Sequence, residues 1–170
     1  MQVSGSHNLD ILNADELERY QRHISLNEIG TSGQIKLKKS SVIFVGVGGL
    51  GSSAILYAAA AGIGTIGLID NDKIEKSNLQ RQIIHDNNRV GENKIISAKV
   101  KIKGLNPNCK IITYCQRLNT NNILSILEGF DIICDCSDNF GTRYLINDAC
   151  LLLNKPFIFG SVQGFEGQVS

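Results

Sequence analysis

From Ser40 to Ile69 the chain carries no charged side chain, and the pattern of side chains changes period twice within that stretch. Ser41–Gly46 (SVIFVG) is a continuous β-branched run, Leu50–Ala61 is a small-residue run ended by Gly62, and Thr65–Asp70 (TIGLID) is β-rich again. An uncharged stretch of this length is long enough to cross a bilayer. The glycines that interrupt it and the changes of period favour a buried strand, helix and strand instead. Upstream, Asn13 followed by Asp15, Glu16 and Glu18 predicts a helix over about Ala14–His23 with Asn13 as its N-cap. A second short helix is expected over Gln34–Lys39.

Downstream the alternation continues. Asn93–Leu105 reads as a basic amphipathic helix that stops before Asn106-Pro107. Lys110–Tyr114, Phe130–Cys136 (FDIICDC) and Pro156–Ser161 read as strands, with helices over Asn121–Leu127 and Thr142–Asn154 between them. Phe165–Ser170 (FEGQVS) looks like the entry to a further strand. Continuous apolar strands separated by helices predict the α/β class: a Rossmann-like, mainly parallel sheet with helices on both faces, preceded by an N-terminal helical segment. Residues 1–12 are expected to be a flexible tail and residues 13–170 a single domain, incomplete at its C-terminus.

Composition restricts the partners. A formal net charge of +1 supplies no global field for nucleic acid, so any phosphate binding must come from a local arrangement. Cys109, Cys115, Cys134, Cys136 and Cys150 lie in apolar surroundings with no CxxC pair, and no signal peptide is evident. They read as buried reduced thiols of a soluble intracellular protein without a membrane span. Enrichment in Ile, Asn and Lys hints at an AT-rich genome such as a plastid's, leaving cytoplasm or plastid stroma as the expected setting.

The chemistry starts at Gly46-Val47-Gly48-Gly49-Leu50-Gly51, a Gly-x-Gly-x-x-Gly element where a strand hands over to a helix. Gly46 permits the tight turn, Gly48 lets backbone approach a phosphate, and Gly51 lets helix and strand pack closely. Asp70, at the end of the next strand, is placed to accept ribose hydroxyl protons. This pair alone does not separate a dinucleotide from ATP. The polar segment Ser77-Asn78-Leu79-Gln80-Arg81-Gln82 favours a triphosphate, because Ser and Asn bond phosphate or ribose oxygens while Arg81 neutralises charge. Lys94 opens the next helix as a further point charge. Asp138, after the strand ending in Cys134-Asp135-Cys136, is placed to hold Mg²⁺, with Asn139 orienting it. Capping of the following helix is the lesser alternative for Asp138. His7, His23 and His85 fall outside this constellation and read as surface or supporting groups.

GVGGLG, SNLQRQ, VGENK, DCSDN and FEGQ, in this order, resemble the adenylyltransferases of the ubiquitin-activating superfamily, above all those of the molybdopterin-synthase and thiamine pathways. The resemblance runs from about Glu16 to Ser170. It implies ATP contacts at Gly49, Asp70, Ser77, Asn78, Leu79, Gln80, Arg81, Lys94, Asp138 and Asn139, with Asp138 on magnesium. Arg22, in the segment Arg19-Tyr20-Gln21-Arg22-His23-Ile24, matches an arginine that reaches a partner subunit's ATP site, which implies a homodimer. Two CxxC zinc pairs occur farther along in such proteins, so the resemblance places structural zinc only beyond residue 170 and suggests an N-terminal fragment.

The implied reaction is adenylation of the C-terminal glycine carboxylate of a ubiquitin-like sulfur-carrier protein, the small subunit of molybdopterin synthase. Arg22, Arg81, Lys94 and Asp138 would carry it, and a separate sulfur donor would act afterwards. The alternatives are activation of the thiamine carrier or another ubiquitin-like modifier, an NAD-dependent oxidoreductase, and an inert partner of an activating heterodimer.

Overall fold

The structure is a computed structural model and describes residues 11–170. The tail expected over residues 1–12, and His7 with it, therefore lies almost wholly outside the described residues. Leu12 does not belong to a free tail: it is buried in the core.

Helix α1 (Ala14–Arg19) begins at the predicted cap. The Asn13 side chain accepts from the Glu16 N–H at 2.9 Å, and the Glu16 carboxylate accepts from the Asn13 N–H at 2.9 Å, so two otherwise orphaned donors are satisfied reciprocally. The helix expected to reach His23 is broken at Tyr20, and α2 (Gln21–Ile24) restarts beyond it. Tertiary contact accounts for the break. The Tyr20 ring is buried where Gly62 presents no side chain, and its hydroxyl accepts from Asn106 Nδ2 at 2.8 Å. Helix α3 (Gly30–Lys39) starts earlier than Gln34. Its first turn of weak helix formers is carried by the buried Gln34, which donates to the Ala61 carbonyl at 2.9 Å, and by buried Ile35.

The α/β alternation then follows as β1 (Ser41–Val45), α4 (Gly49–Ala61), β2 (Thr65–Ile69), α5 (Lys94–Leu105) and β3 (Lys110–Tyr114). It continues as α6 (Ile123–Leu127), β4 (Ile132–Asp135), α7 (Phe140–Leu153), β5 (Phe157–Gln163) and β6 (Glu166–Val169). The sheet order is β3-β2-β1-β4-β5-β6, parallel throughout except for β6, which returns antiparallel on β5. FEGQVS is thus the second arm of a hairpin.

Alternation along β1 sends Val42 and Phe44 to the face covered by α4 and α5, and Ile43 and Val45 to the face covered by α6 and α7. A strand buried on both faces has no polar side, which is why SVIFVG carries no charge. The uncharged stretch is strand, helix and strand, and among the described residues no helix is long and apolar enough to cross a membrane. All five cysteines are free. Cys109 and Cys150 are buried and Cys134 and Cys136 partly so, whereas Cys115, expected in the core, is exposed just past the end of β3.

The register positions the site. Val45 pairs with both Ile69 and Asp135, and Ile69 pairs with Tyr114, so four strands end level. The order reverses between β1 and β4, and the segments leaving those two strands diverge over the carboxyl edge.

Gly62 ends α4 with φ +90°, and a Cβ there would stand 2.6 Å from Tyr20 Cζ and from Gln34 Nε2. Gly62→Ala is expected to cost about 2–4 kcal/mol of stability through backbone strain and overpacking. Gly104→Ala, in α5 with nothing within 4 Å of the added methyl, is expected to add about 0.5 kcal/mol. Urea midpoints at unchanged slope check both.

Candidate active site

A cavity of about 710 Å³ lies over the carboxyl edge of the sheet, at the β1/β4 divergence. Its floor is the turn after β1. Gly46 has φ +96°, and a Cβ there would stand 2.7 Å from the Cys136 carbonyl oxygen, so the exits of β1 and β4 touch backbone to backbone. Gly46, Gly48 and Gly49 line the cavity, whereas Gly51 packs behind them against the Gly46 carbonyl. Helix α4 starts at Gly49 and directs its free N–H groups toward the space above.

The turn is held at one peptide group. The Val47 N–H donates to Asp70 Oδ2 at 2.8 Å, and the Val47 carbonyl accepts from His85 Nε2 at 3.1 Å. Asp70 Oδ1 also accepts from the Asp72 N–H at 2.8 Å. Asp70 therefore braces the glycine turn and also lines the cavity, with carboxylate lone pairs left over to accept further hydrogen bonds.

Of the two roles open to His85, surface or supporting, the structure gives it the second: it is buried and holds the turn. A carbonyl only accepts, so Nε2 carries the proton, and Nδ1 lies 3.1 Å from the Ser97 hydroxyl, which can donate to it. Burial lowers the imidazole pKa, with the nearby Lys94 charge acting in the same direction. His23 sits apart, its Nδ1 2.9 Å from Gln34 Oε1.

Four cations border the cavity: Arg81, Lys94, Arg117 and Arg143. The Arg81 stem packs over Gly49, where an added Cβ would lie 3.5 Å from Arg81 Cγ. Lys94 is 7% exposed and donates to Asp72 Oδ2 at 2.8 Å, which fixes its ammonium at the mouth of the cleft. Asp138 and Asn139 follow β4 and stand at the rim. Helix capping, open to Asp138 from the sequence, falls to Asn139, whose Oδ1 accepts from the Thr142 N–H at 2.9 Å. Asp138 enters no ion pair among the described residues.

Other candidates stand elsewhere. Ser77, Asn78, Leu79 and Gln80 do not line the cavity. Lys76–Asn78 form a short 3-10 turn in which Asn78 Oδ1 accepts from the Glu75 N–H at 3.0 Å, and the Ser77 hydroxyl lies 3.2 Å from Glu75 Oε2. The hexapeptide reaches the wall through Arg81 and buried Gln82. Arg22 is exposed on α2 and does not border this cavity.

The cavity also contains residues that sequence reasoning missed. Gln116, Arg117 and Leu118 follow β3, and Ser137, Thr142, Arg143 and Val162 come from the β4–β5 side. The rule that ligands sit beyond the carboxyl ends of parallel strands could have drawn attention to the loop after β3. Asp135 is buried, with Oδ1 accepting from the Ser137 N–H at 2.8 Å, and burial raises its carboxyl pKa. Burial also pushes the Cys134 thiol up to about 11 and the Cys136 thiol up to about 12, which leaves both protonated and unreactive at neutral pH.

His85 gives the fold a pH dependence of known sign. Its folded pKa lies below that of the unfolded chain, so the unfolded state binds more protons once the pH drops below about 6.5. Its contribution to stability is complete above that value and is lost as pH falls toward the folded pKa. His85→Gln keeps a donor for the Val47 carbonyl but does not titrate. Between about pH 7 and pH 5 the native protein is expected to lose more stability than the variant, measured as urea midpoints. Parallel curves would show that His85 does not titrate with folding.

Similarity to known proteins points the same way. Adenylyltransferase and sulfurtransferase MOCS3 of Drosophila virilis is 47% identical over 159 residues, an alignment covering 94% of this chain and 35% of that protein. The probable molybdopterin-synthase adenylyltransferase of Porphyra purpurea is 50% identical over 156 residues, covering 92% and 41%. The chain thus spans well under half the length of these curated relatives. Among solved structures, PaaA superposes with a TM-score of 0.86 at 30% identity, covering 100% of this chain and 54% of its own. Escherichia coli MccB crystallised with ATP gives 0.76 at 31% identity, covering 84% and 44%. The model of the ThiF family matches residues 20–170, from the buried tyrosine that interrupts the first helices through the glycine turn and the whole sheet, so the chain belongs to the ThiF family.

Proposed function

We propose that this chain is the nucleotide-binding part of an adenylyltransferase that activates the C-terminal glycine carboxylate of a ubiquitin-like sulfur-carrier protein with ATP, releasing pyrophosphate, in molybdenum cofactor biosynthesis. One observation carries the reading: the glycine turn, Asp70, Arg81, Lys94 and Asp138, scattered over the sequence, open on a single cavity. The names of the Drosophila and Porphyra relatives, and the crystallisation of MccB with ATP, support the same reaction class.

In this reading the ribose rests on Asp70, and the phosphates run past the N-terminus of α4 between Arg81 and Lys94. Asp138 fits magnesium: it is an exposed carboxylate on the cleft that forms no ion pair among the described residues, and Mg²⁺ takes one or two carboxylates with phosphate oxygens and water. The metal would supply charge neutralisation at the phosphates. The acceptor carboxylate is already ionised at neutral pH, so no general base is needed. Among the described residues, no histidine lines the cavity. The protein's task is alignment and charge neutralisation.

Arg22 is assigned to a second copy's site in a homodimer, a reading its exposure on α2, outside the lining of its own chain's cavity, supports. Sulfur would come from a separate donor after adenylation, and any structural zinc would lie beyond residue 170. The cytoplasm or plastid stroma remains the proposed setting on compositional grounds alone.

Arg81→Ala and Asp138→Ala are each expected to lower carrier-dependent ATP–pyrophosphate exchange by about 10²–10³, with urea midpoints close to the native value. Full exchange in either variant removes that residue from the site.

A further inference from the structure

We propose that Arg143 and Ser137 form the receiving subsite for the acceptor's terminal carboxylate, on the β4–β5 side of the cleft. The inference rests on the nucleotide reading above. The switch point divides the cavity. The side over β1, β2 and β3 holds the glycine turn, Asp70, Lys94 and Arg117; the side over β4 and β5 holds Ser137, Asp138, Asn139, Thr142, Arg143 and Val162.

Arg143 is a partly buried cation with no direct salt-bridge partner among the described residues, although the buried Asp135 carboxylate feels its charge. Its Nε is buried with no partner. Asp135 also leaves Oδ2 unpartnered, so the two do not neutralise each other by direct contact. The guanidinium is held in place: Nη2 donates to the Ser137 carbonyl at 2.9 Å, and the group stands 4.8 Å from the Phe159 ring centroid and 5.8 Å from that of Phe140. Ser137 is 8% exposed, and its hydroxyl has no partner. Buried donors left unsatisfied are costly, and a half-buried unpaired cation more so. Both residues line one cavity and donate, so the matching ligand is an oxyanion.

A carboxylate fits better than a further phosphate. Arginine's planar fork matches carboxylate and phosphate oxygens alike, so the surroundings decide between them. The aromatic rings beside it and Val162 suit the backbone of an extended peptide tail. Apart from the metal proposed at Asp138, the groups assigned to the phosphates (the α4 N-terminus, Arg81 and Lys94) stand across the cleft. Approach of one anion to another requires a cation on the nucleophile's side, and Arg143 supplies it. In the step that follows, a carboxylate oxygen bonds to the α-phosphorus while the bond from that phosphorus to the bridging oxygen breaks. The electron pair leaves with pyrophosphate and no proton moves.

The test is an NMR titration of the isotope-labelled chain, without nucleotide, against a pentapeptide ending in Gly-Gly carboxylate and against its C-terminal carboxamide. The native chain is expected to prefer the carboxylate by about tenfold, the difference that charge-assisted hydrogen bonds support. Arg143→Gln is expected to abolish the preference, Arg143→Lys to keep part of it and Ser137→Ala to weaken it. ATP affinity should stay within about twofold of native in all three, since none of their lost contacts is to phosphate. Equal binding of both peptides, no binding at millimolar carboxylate peptide, or a preference that survives Arg143→Gln would overturn the subsite. So would loss of ATP affinity in Arg143→Gln with peptide binding intact, which would assign the arginine to phosphate. Failure of the native chain to bind ATP would instead refute the nucleotide reading, because the peptide preference is measured without it.

Discussion

Two parallel strands that pair in register and then part company create the cleft on which the candidate site residues gather. β1 and β4 are hydrogen-bonded neighbours up to Val45 and Asp135, and the segments that follow have nowhere to continue but outward. Gly46 and Cys136 meet backbone to backbone at that point, which forbids a side chain on the first residue of the turn. The cleft is thus a consequence of strand order. Most of the residues around it follow the four level strand ends, and Val162 joins them from β5.

Electrostatics within the cleft is local. The whole chain is nearly neutral, yet four cations gather at one edge of the sheet. They are held by different means: Lys94 by the Asp72 carboxylate, Arg81 by packing over the glycine turn, Arg143 by a backbone carbonyl and two rings. The Val47 peptide is fixed by Asp70 on its N–H and His85 on its carbonyl, so the N–H groups that would meet a phosphate are oriented before any ligand arrives. Such preorganisation is what a reaction between two anions needs, since donors that must first rearrange stabilise charge less.

Legibility differed between elements for physical reasons. Strands buried on both faces have no alternative reading, and SVIFVG and TIGLID appear within a residue of their expected limits, as does the half-buried edge strand KIITY. Helix limits were less legible where tertiary contacts override propensity, as at Tyr20 and at the first turn of α3. Within the site, the glycine turn and Asp70 were readable because each lies at a fixed offset from a strand end. The hexapeptide was only half readable: residues adjacent in sequence point different ways in a 3-10 turn, so Arg81 reaches the cavity while Ser77 and Asn78 bond within their own loop.

The sequence alone determined the α/β alternation, the strand–turn–helix at GVGGLG and the family, since each is carried by residues close together along the chain. Tertiary structure decided which side chains share a volume. His85 is separated by 38 residues from the carbonyl it holds, and Arg143 meets Phe159 across a strand and a helix. Such meetings depend on sheet order and register, which pair residues by their distance from a strand end and leave no local pattern to read.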